Sequence, residues 1–228
     1  MPLLPAAPVG FPDPAQALSE PDGLLAAGGD LSLEWLIEAY ARGIFPWFGP
    51  EDDHILWWSP SQRAVIEPGR MKVTRSLAKR IRNAGFEIAV DQAFASVVDY
   101  CSEPRRDVAG TWITTEMKAA YSDLHGAGLA HSFETYLDGD LVGGLYGVSL
   151  GLCFFGESMF SLVPDGSKVA FHVLHQQLSA WGFDLIDCQL QNPHLESLGV
   201  YEIPRADFLR HLDANPLEQT RRGRWQLD

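Results

Sequence analysis

The stretch His131-Ser132-Phe133-Glu134-Thr135-Tyr136-Leu137-Asp138-Gly139-Asp140-Leu141-Val142-Gly143-Gly144-Leu145-Tyr146-Gly147-Val148-Ser149 decides the fold. Two runs rich in β-branched and aromatic residues flank Asp138-Gly139, a dipeptide suited to the positive φ angles of a tight hairpin turn. A third run, Leu152–Phe160, follows at once, so a three-strand meander is predicted over 131–160. The longest uncharged run, Leu141 to Gly156, carries five glycines and is too short to span a bilayer. It reads as buried strand, and no membrane partner is expected.

Working outward, helices and strands alternate. Phe86–Val90 is predicted as a strand. Asp91 is expected to cap a helix with Phe94, Val97, Val98 and Cys101 on one face. Thr114 is expected to cap another, with Met117, Ala120, Tyr121 and Leu124 at helical spacing. Downstream, Ser167 should cap a helix running to Trp181. A strand over Phe183–Gln189, a short helix near Leu195, a strand near Tyr201–Ile203 and a helix around Phe208–Leu212 complete the pattern. Upstream, Arg63–Glu67 reads as a strand and Thr74–Ala84 as a basic helix closed by Gly85. From residue 86 the order β-α-α-β-β-β-α-β-α-β resembles the GNAT acyltransferase fold, which implies a fold class but no activity. The expectation is therefore an α/β (α+β) protein, a GNAT-like mixed sheet flanked by helices over 63–228. Residues 1–62, rich in Pro, Gly and Trp, read as a small loop-rich N-terminal domain, with one helix starting near Ser32.

With 228 residues and 46% hydrophobic content, the chain can build a sizeable core. Its three cysteines, Cys101, Cys153 and Cys188, are widely spaced and form no C-x-x-C, so a disulfide framework and a zinc knuckle are both disfavoured. With no signal-peptide pattern at the N-terminus, a reduced, cytoplasmic setting is expected. His172 and His175 stand at i, i+3, but no third ligand type completes a metal set, so no metal is expected. Neither nucleotide-binding glycine fingerprint is present.

A net charge of −13 argues against a nucleic-acid partner only if the charges are evenly spread. They are not. Arg70, Lys72, Arg75, Lys79, Arg80 and Arg82 fall within 70–82 with no acid among them, and Arg221, Arg222 and Arg224 cluster in the tail. Nine of the 17 cations thus sit in two short segments. A charge run is commonly a solvated face, but this concentration can also bind phosphates.

In the strand Leu185-Ile186-Asp187-Cys188-Gln189, alternation sends Asp187 and Gln189 to one face and Ile186 and Cys188 to the other. A carboxylate and an amide at i, i+2 inside apolar flanks read either as a satisfied structural pair or as a site. Glu157 is likewise embedded among apolar residues, and it is expected to face Asp187 across adjacent strands. Two acids in one cleft would suit a cationic substrate. Phe171, Leu174 and Leu178 form a helix stripe that is core by default, and Met159 and Ile186 can meet it. Trp47, Trp57, Trp58 and Trp112 sit in turn-like contexts, where core packing and base stacking are both open readings.

Taken together, these residues resemble the leucyl/phenylalanyl-tRNA–protein transferase family. The resemblance runs through Gly28-Gly29-Asp30-Leu31, Gly43-Ile44-Phe45-Pro46-Trp47-Phe48, Leu56-Trp57-Trp58-Ser59-Pro60 and Thr111-Trp112-Ile113-Thr114. It continues through Gly143-Gly144-Leu145-Tyr146-Gly147, Gly156-Glu157-Ser158-Met159-Phe160-Ser161, Leu185-Ile186-Asp187-Cys188-Gln189 and Ser197-Leu198-Gly199. It covers nearly all of 11–212. Asp165-Gly166 stands where the family usually has Asn-Ala, Val200 stands where it has Ala, and the tail beyond about 213 matches weakly.

The resemblance implies transfer of Leu or Phe, less well Met, from the 3′ end of leucyl-tRNA or phenylalanyl-tRNA. The acceptor is a protein or peptide with an N-terminal Arg or Lys, and the product is an N-degron. No cofactor is implied, because the aminoacyl ester is already activated. By similarity, Asp187 and Gln189 form the catalytic pair, and Glu157 with Met159, Phe171, Leu174, Leu178 and Ile186 lines the aminoacyl pocket. Trp47 and Trp112 hold the terminal adenosine, and Arg75, Lys79, Arg80 and Arg82 meet the tRNA. Two alternatives compete. A CoA-dependent N-acyltransferase would need an R/Q-x-x-G-x-G/A loop, which 162–168 lacks. A non-catalytic binder of basic N-termini would not need the embedded Asp187–Gln189 pair.

Overall fold

A computed structural model of the chain describes residues 1–103 and 113–227. Near the N-terminus, β1 (Leu3–Leu4), β2 (Leu24–Gly28), β3 (Phe45–Pro46) and β4 (Leu56–Trp58) form a small sheet in the order β1-β2-β4-β3, with α1 (Leu33–Ala41) between β2 and β3. Ser32 precedes α1 in an extended conformation but makes no side-chain cap.

The second sheet has seven strands in the order β11-β5-β10-β9-β8-β7-β6. In chain order its elements are β5 (Gln62–Ile66), α2 (Arg75–Asn83), β6 (Glu87–Val90), α3 (Phe94–Ser102) and α4 (Thr115–Gly126). The meander β7 (Ala130–Leu137), β8 (Asp140–Leu150) and β9 (Cys153–Ser161) follows, and then α5 (Gly166–Ala180). The chain continues through β10 (Leu185–Gln189), α6 (Pro193–Leu198), β11 (Tyr201–Pro204) and α7 (Arg205–Asp213). The GNAT-like order expected from residue 86 is present, and Asp138 and Gly139 take φ of 53° and 87° at the hairpin turn.

Pairing is antiparallel throughout this sheet except between β9 and β10. That parallel pair is joined by the crossover helix α5. Its register is short: Leu185, Ile186 and Asp187 face Cys153, Phe154 and Phe155, and beyond Phe155 and Asp187 the strands part.

Alternation along the strands feeds two cores. One contains Tyr40, Val97, Tyr121, Tyr146, Phe155, Leu185 and Phe208, and continues into the small sheet through Trp35 and Trp57. The other lies on the opposite face, under α2 and α5, and contains Leu77, Phe133, Phe154, Phe171, Leu174, Leu178 and Ile186. Gly143 allows α5 to settle there, because a Cβ at that position would lie 2.5 Å from the Gly166 carbonyl carbon.

Two capping expectations are corrected. Asp91 does not cap α3, whose N-cap is Ala93 with no side-chain bond. Instead Asp91, buried and at φ 56°, accepts from the Ser132 and Trp225 backbone N–H groups and pairs with His131 Nδ1 at 2.8 Å. Local spacing suggested a cap, but partners far along the chain claim the carboxylate. Likewise α5 begins after Asp165, which takes the left-handed conformation. Ser167 lies inside the helix, its N–H bonded to Ser161 Oγ. Thr74 and Thr114 do cap α2 and α4.

The tail after α7 is an ordered strap. Asn215 bonds Leu152 N–H and Leu150 C=O, and Thr220 Oγ1 accepts from Gly151 N–H. Gly223 N–H reaches Gly128 C=O at 3.2 Å, an approach open to glycine because a Cβ at Gly128 would sit 2.2 Å from Gly223 N. Trp225, 2% exposed, stacks on His131 with 3.7 Å between ring centroids. Among the described residues, no helix is long and apolar enough to cross a membrane.

Candidate active site

The parting of β9 and β10 opens a gap in the middle of the sheet, and a bulge in each strand fills it with polar groups. On β9 the register with β8 slips between Gly156 and Ser158, leaving Glu157 without a partner. On β10 the register with β5 slips between Asp187 and Gln189, leaving Cys188 without one, and Gln189 adopts φ 63°. Bulges of this kind re-aim side chains. Gln189 Nε2 donates to Glu157 Oε1 at 2.9 Å across the gap. Its backbone N–H donates to Asp187 Oδ1 at 2.9 Å, so Asp187 holds the bulge in place.

Asp187, fully buried, is gripped by Arg63. Nε donates to Oδ1 at 2.8 Å and Nη2 to Oδ2 at 2.7 Å, and the remaining nitrogen, Nη1, donates to the Gly43 carbonyl at 3.2 Å. The guanidinium carbon lies over the rings of Phe45 and Phe208, 4.7 Å from each ring centroid. The pair is therefore bidentate, and its cationic half makes two cation–π contacts.

Glu157 sits under two tyrosines. Tyr40 Oη donates to Oε1 at 2.8 Å, Tyr121 Oη donates to Oε2 at 2.6 Å, and the two hydroxyls are 2.8 Å apart. Two phenolic protons serve three oxygen–oxygen contacts, so the ring closes when Glu157 is protonated and one hydroxyl turns: Glu157 Oε2–H donates to Tyr121, Tyr121 to Tyr40, and Tyr40 to Glu157 Oε1. Burial acts in the same direction, pushing the Glu157 carboxyl up to about 7, while the tyrosine hydrogen bonds pull it back. Both tyrosines are held well above their ordinary range, by burial first and the Glu157 charge second.

Asp187, Gln189 and Glu157 are thus brought into one hydrogen-bonded network. Met159, Phe171, Leu174, Leu178 and Ile186 lie in the core on the other face of the sheet, with Met159 partly exposed. Trp47 is 39% exposed, its ring against the edge of Trp58 at 5.4 Å, two residues from the Phe45 that covers Arg63. Trp57 is fully buried. Trp112 lies outside the described residues. Arg75, Lys79 and Arg82 are exposed on α2, whereas Arg80 donates to the Pro164 carbonyl at 3.0 Å and lies 3.8 Å from Asp165. Sequence reading did not assign Arg63, Tyr40 or Tyr121 to the site. A lone Arg opening a strand reads as surface, and two tyrosines on apolar helix faces read as core. Among the described residues, no group of three or more His, Cys, Asp or Glu could hold a metal ion.

A family model described as Leucyl/phenylalanyl-tRNA protein transferase matches residues 65–213, and one for the N-terminal domain of that family matches 29–61. The chain is 58% identical over 202 residues to the leucyl/phenylalanyl-tRNA–protein transferase of Thiobacillus denitrificans, covering 89% of this chain and 88% of that one. It is 54% identical over 218 residues to the Nitrosospira multiformis protein of the same name, covering 96% and 94%. Among solved structures, L-PGS from Bacillus licheniformis aligns at 13% identity with a TM-score of 0.41, over 74% of this chain and 54% of that one.

Proposed function

Because the chain belongs to the leucyl/phenylalanyl-tRNA–protein transferase family, whose members carry an aminoacyl group from tRNA to protein, we propose that it moves Leu or Phe, and Met less well, onto the α-amine of proteins or peptides beginning with Arg or Lys. The product is an N-degron, and the reaction runs in the cytoplasm without ATP. The observation that carries this reading is the bridge from Gln189 to Glu157 across the parted strands, backed by the Arg63–Asp187 pair.

The ester is already activated, so the protein's tasks are to orient, to hold charge and to move one proton. The terminal adenosine stacks on Trp47 and Trp112. The Leu or Phe side chain enters through the gap toward Met159, Ile186, Phe171, Leu174 and Leu178. The Arg or Lys head group of the acceptor is drawn to the anionic surroundings. Its α-amine, with an ordinary pKa near ~8, is partly neutral at neutral pH.

The amine nitrogen attacks the ester carbonyl. As the amide bond forms, the bond between the carbonyl carbon and the ribose 3′ oxygen breaks, and that leaving oxygen takes up a proton. Both Asp187 oxygens are occupied by Arg63, which suits Asp187 to fixing Gln189 rather than exchanging protons. Gln189 positions the amine, and Glu157, poised near 7 beneath two hydroxyls, receives the proton and passes it on.

The test is a transfer assay with labelled leucyl-tRNA and peptides beginning with Arg or Asp, in buffer lacking ATP and CoA. Label on the Arg peptide alone is expected. No label on it, or equal label on both, overturns the reading.

A further inference from the structure

Asp91, His131 and Trp225 form a buried unit that the proposed reaction does not use. His131 is fully buried near the start of β7, with Nδ1 2.8 Å from Asp91 Oδ2. That carboxylate also accepts two backbone N–H groups, from Ser132 at Oδ1 and from Trp225 at Oδ2. Nδ1 therefore carries the hydrogen of the neutral ring, and Nε2 is the bare nitrogen. Nε2 is buried and has no hydrogen-bond partner. The Trp225 ring closes over the imidazole, 6° from parallel with 3.7 Å between centroids.

One carboxylate oxygen thus holds both the imidazole and the strap. Two residues earlier, Gly223 N–H bonds the Gly128 carbonyl at 3.2 Å. With the strap in place, a second proton would put a cation inside the core, at a nitrogen that water does not reach. The Gly128 carbonyl, which favours that proton, is already engaged by Gly223. With the strap lifted, the same nitrogen is hydrated. Burial accordingly pushes the His131 imidazole below its ordinary value, and the Asp91 carboxylate pulls it back.

The titratable and charged groups around His131 are few. Asp91 follows β6, and His125, in the last turn of α4, lies 4.0 Å from Asp91 Oδ1 and disfavours a second cation. Glu134 stands three residues along β7, on its opposite face, engaged by Ser132 Oγ and Ala93 N–H. In the strap, Arg221 lies over the Trp181 ring, and Arg224 lines a cavity with Asp91 and His125. β8 places Gly147 opposite His131, and α5 and β9 contribute the rings of Trp181 and Phe154 against Trp225.

We propose that His131 is a proton-operated latch: a second proton, taken up in mildly acidic conditions, releases the strap over 220–227 while the sheet stays folded. Release of one segment ahead of the whole is ordinary local opening. It bares His131 and the rings of Phe133, Phe154, Trp181 and Phe183 that Trp225 covers. The closed form binds the second proton more weakly than the open form. Closure is therefore fully favoured above the ordinary histidine value of about 6.5 and weakens as pH falls through it. The opening equilibrium changes by at most about tenfold per pH unit, since one proton is involved. The latch is independent of the transfer reaction.

The test is hydrogen exchange of the Gly223 and Trp225 amides between pH 5 and pH 8, corrected for intrinsic exchange, with His131 titrated by ring nitrogen NMR in the same protein. Protection of the strap should fall below about pH 6.5 while β8 amides stay protected, and His131 should show the Nδ1–H tautomer at pH 8 and titrate below about 6.5. His131→Asn offers Asp91 a similar amide donor and takes no proton, so its strap protection should not vary with pH. His125→Asn and Glu134→Gln should keep the parent's pH dependence. Strap protection independent of pH in the parent, His131 titrating above about 6.5, or β8 amides opening together with the strap overturns the latch. So does the parent's pH dependence persisting in His131→Asn or vanishing in His125→Asn or Glu134→Gln. If His131→Asn does not fold, the parent's exchange and NMR titration decide alone.

Discussion

Arg63 and Asp187 stand 124 positions apart in the chain and meet as a bidentate ion pair with side chains 1% and 0% exposed. The pair ties β5 to β10 beside the gap. Through the Gln189 backbone N–H it fixes the bulge that aims the Gln189 amide at Glu157. Removing one partner of such a pair strands a buried charge. Arg63→Met should therefore cost about 3–5 kcal/mol of folding stability in urea unfolding, and adding Asp187→Asn should recover part of it. A cost below 1 kcal/mol would show that water relieves the carboxylate.

Glu157 should set a pH dependence. Its folded pKa, about 7, lies above the ordinary carboxylate value, so the folded state holds the proton more tightly than the unfolded chain does. Stability is favoured below the ordinary value and declines as pH rises through about 7. Glu157→Gln should remove that decline, which thermal unfolding at pH 5 and pH 8 can read. The same variant should lower transfer about a hundredfold or more and lose the parent's rise in rate through neutral pH. A parent-like pH–rate profile in the variant would reassign the proton acceptor.

Trp47 is more than one-third exposed, so Trp47→Ala should leave the melting temperature nearly unchanged. Loss of base stacking, worth about 1–3 kcal/mol, should weaken binding of leucyl-adenosine by about 5- to 150-fold. Equal affinity in the variant would move the adenosine elsewhere.

Trp225 behaves as core although it lies three residues from the last residue of the sequence. It packs against His131, Phe133, Phe154, Trp181 and Phe183. Trp225→Ala should cost about 3–5 kcal/mol in urea unfolding, and Asp91→Ala, which releases the Trp225 backbone N–H, should destabilise in the same direction. Unchanged unfolding in both would show the strap to be dispensable.

The meander and its Asp138-Gly139 turn are legible because strand alternation and that dipeptide are local signals. Asp187, Gln189 and Glu157 stood out for a related reason, since polar side chains inside apolar strands conflict with their neighbours. Arg63, Tyr40 and Tyr121 did not, because each matches its local pattern and acquires its role from partners 124, 117 and 36 positions away. Asp91 departs from its local pattern for the same cause. Its sequence neighbours suggest a cap, while His131 and Trp225, 40 and 134 positions away, decide what it does. The β9 and β10 bulges also escaped notice, since alternation presumes an unbroken register.

The bridge between the parted strands is proposed as the reacting centre. Single-turnover transfer from leucyl-tRNA by Gln189→Ala, with tRNA affinity measured on the same protein, tests it most directly. This substitution removes the bridging amide without burying a charge. The predicted result is a fall of about a hundredfold or more in the transfer rate, with the tRNA Kd unchanged within about twofold. A parent-like rate, or a fall accounted for by weaker tRNA binding, would contradict it.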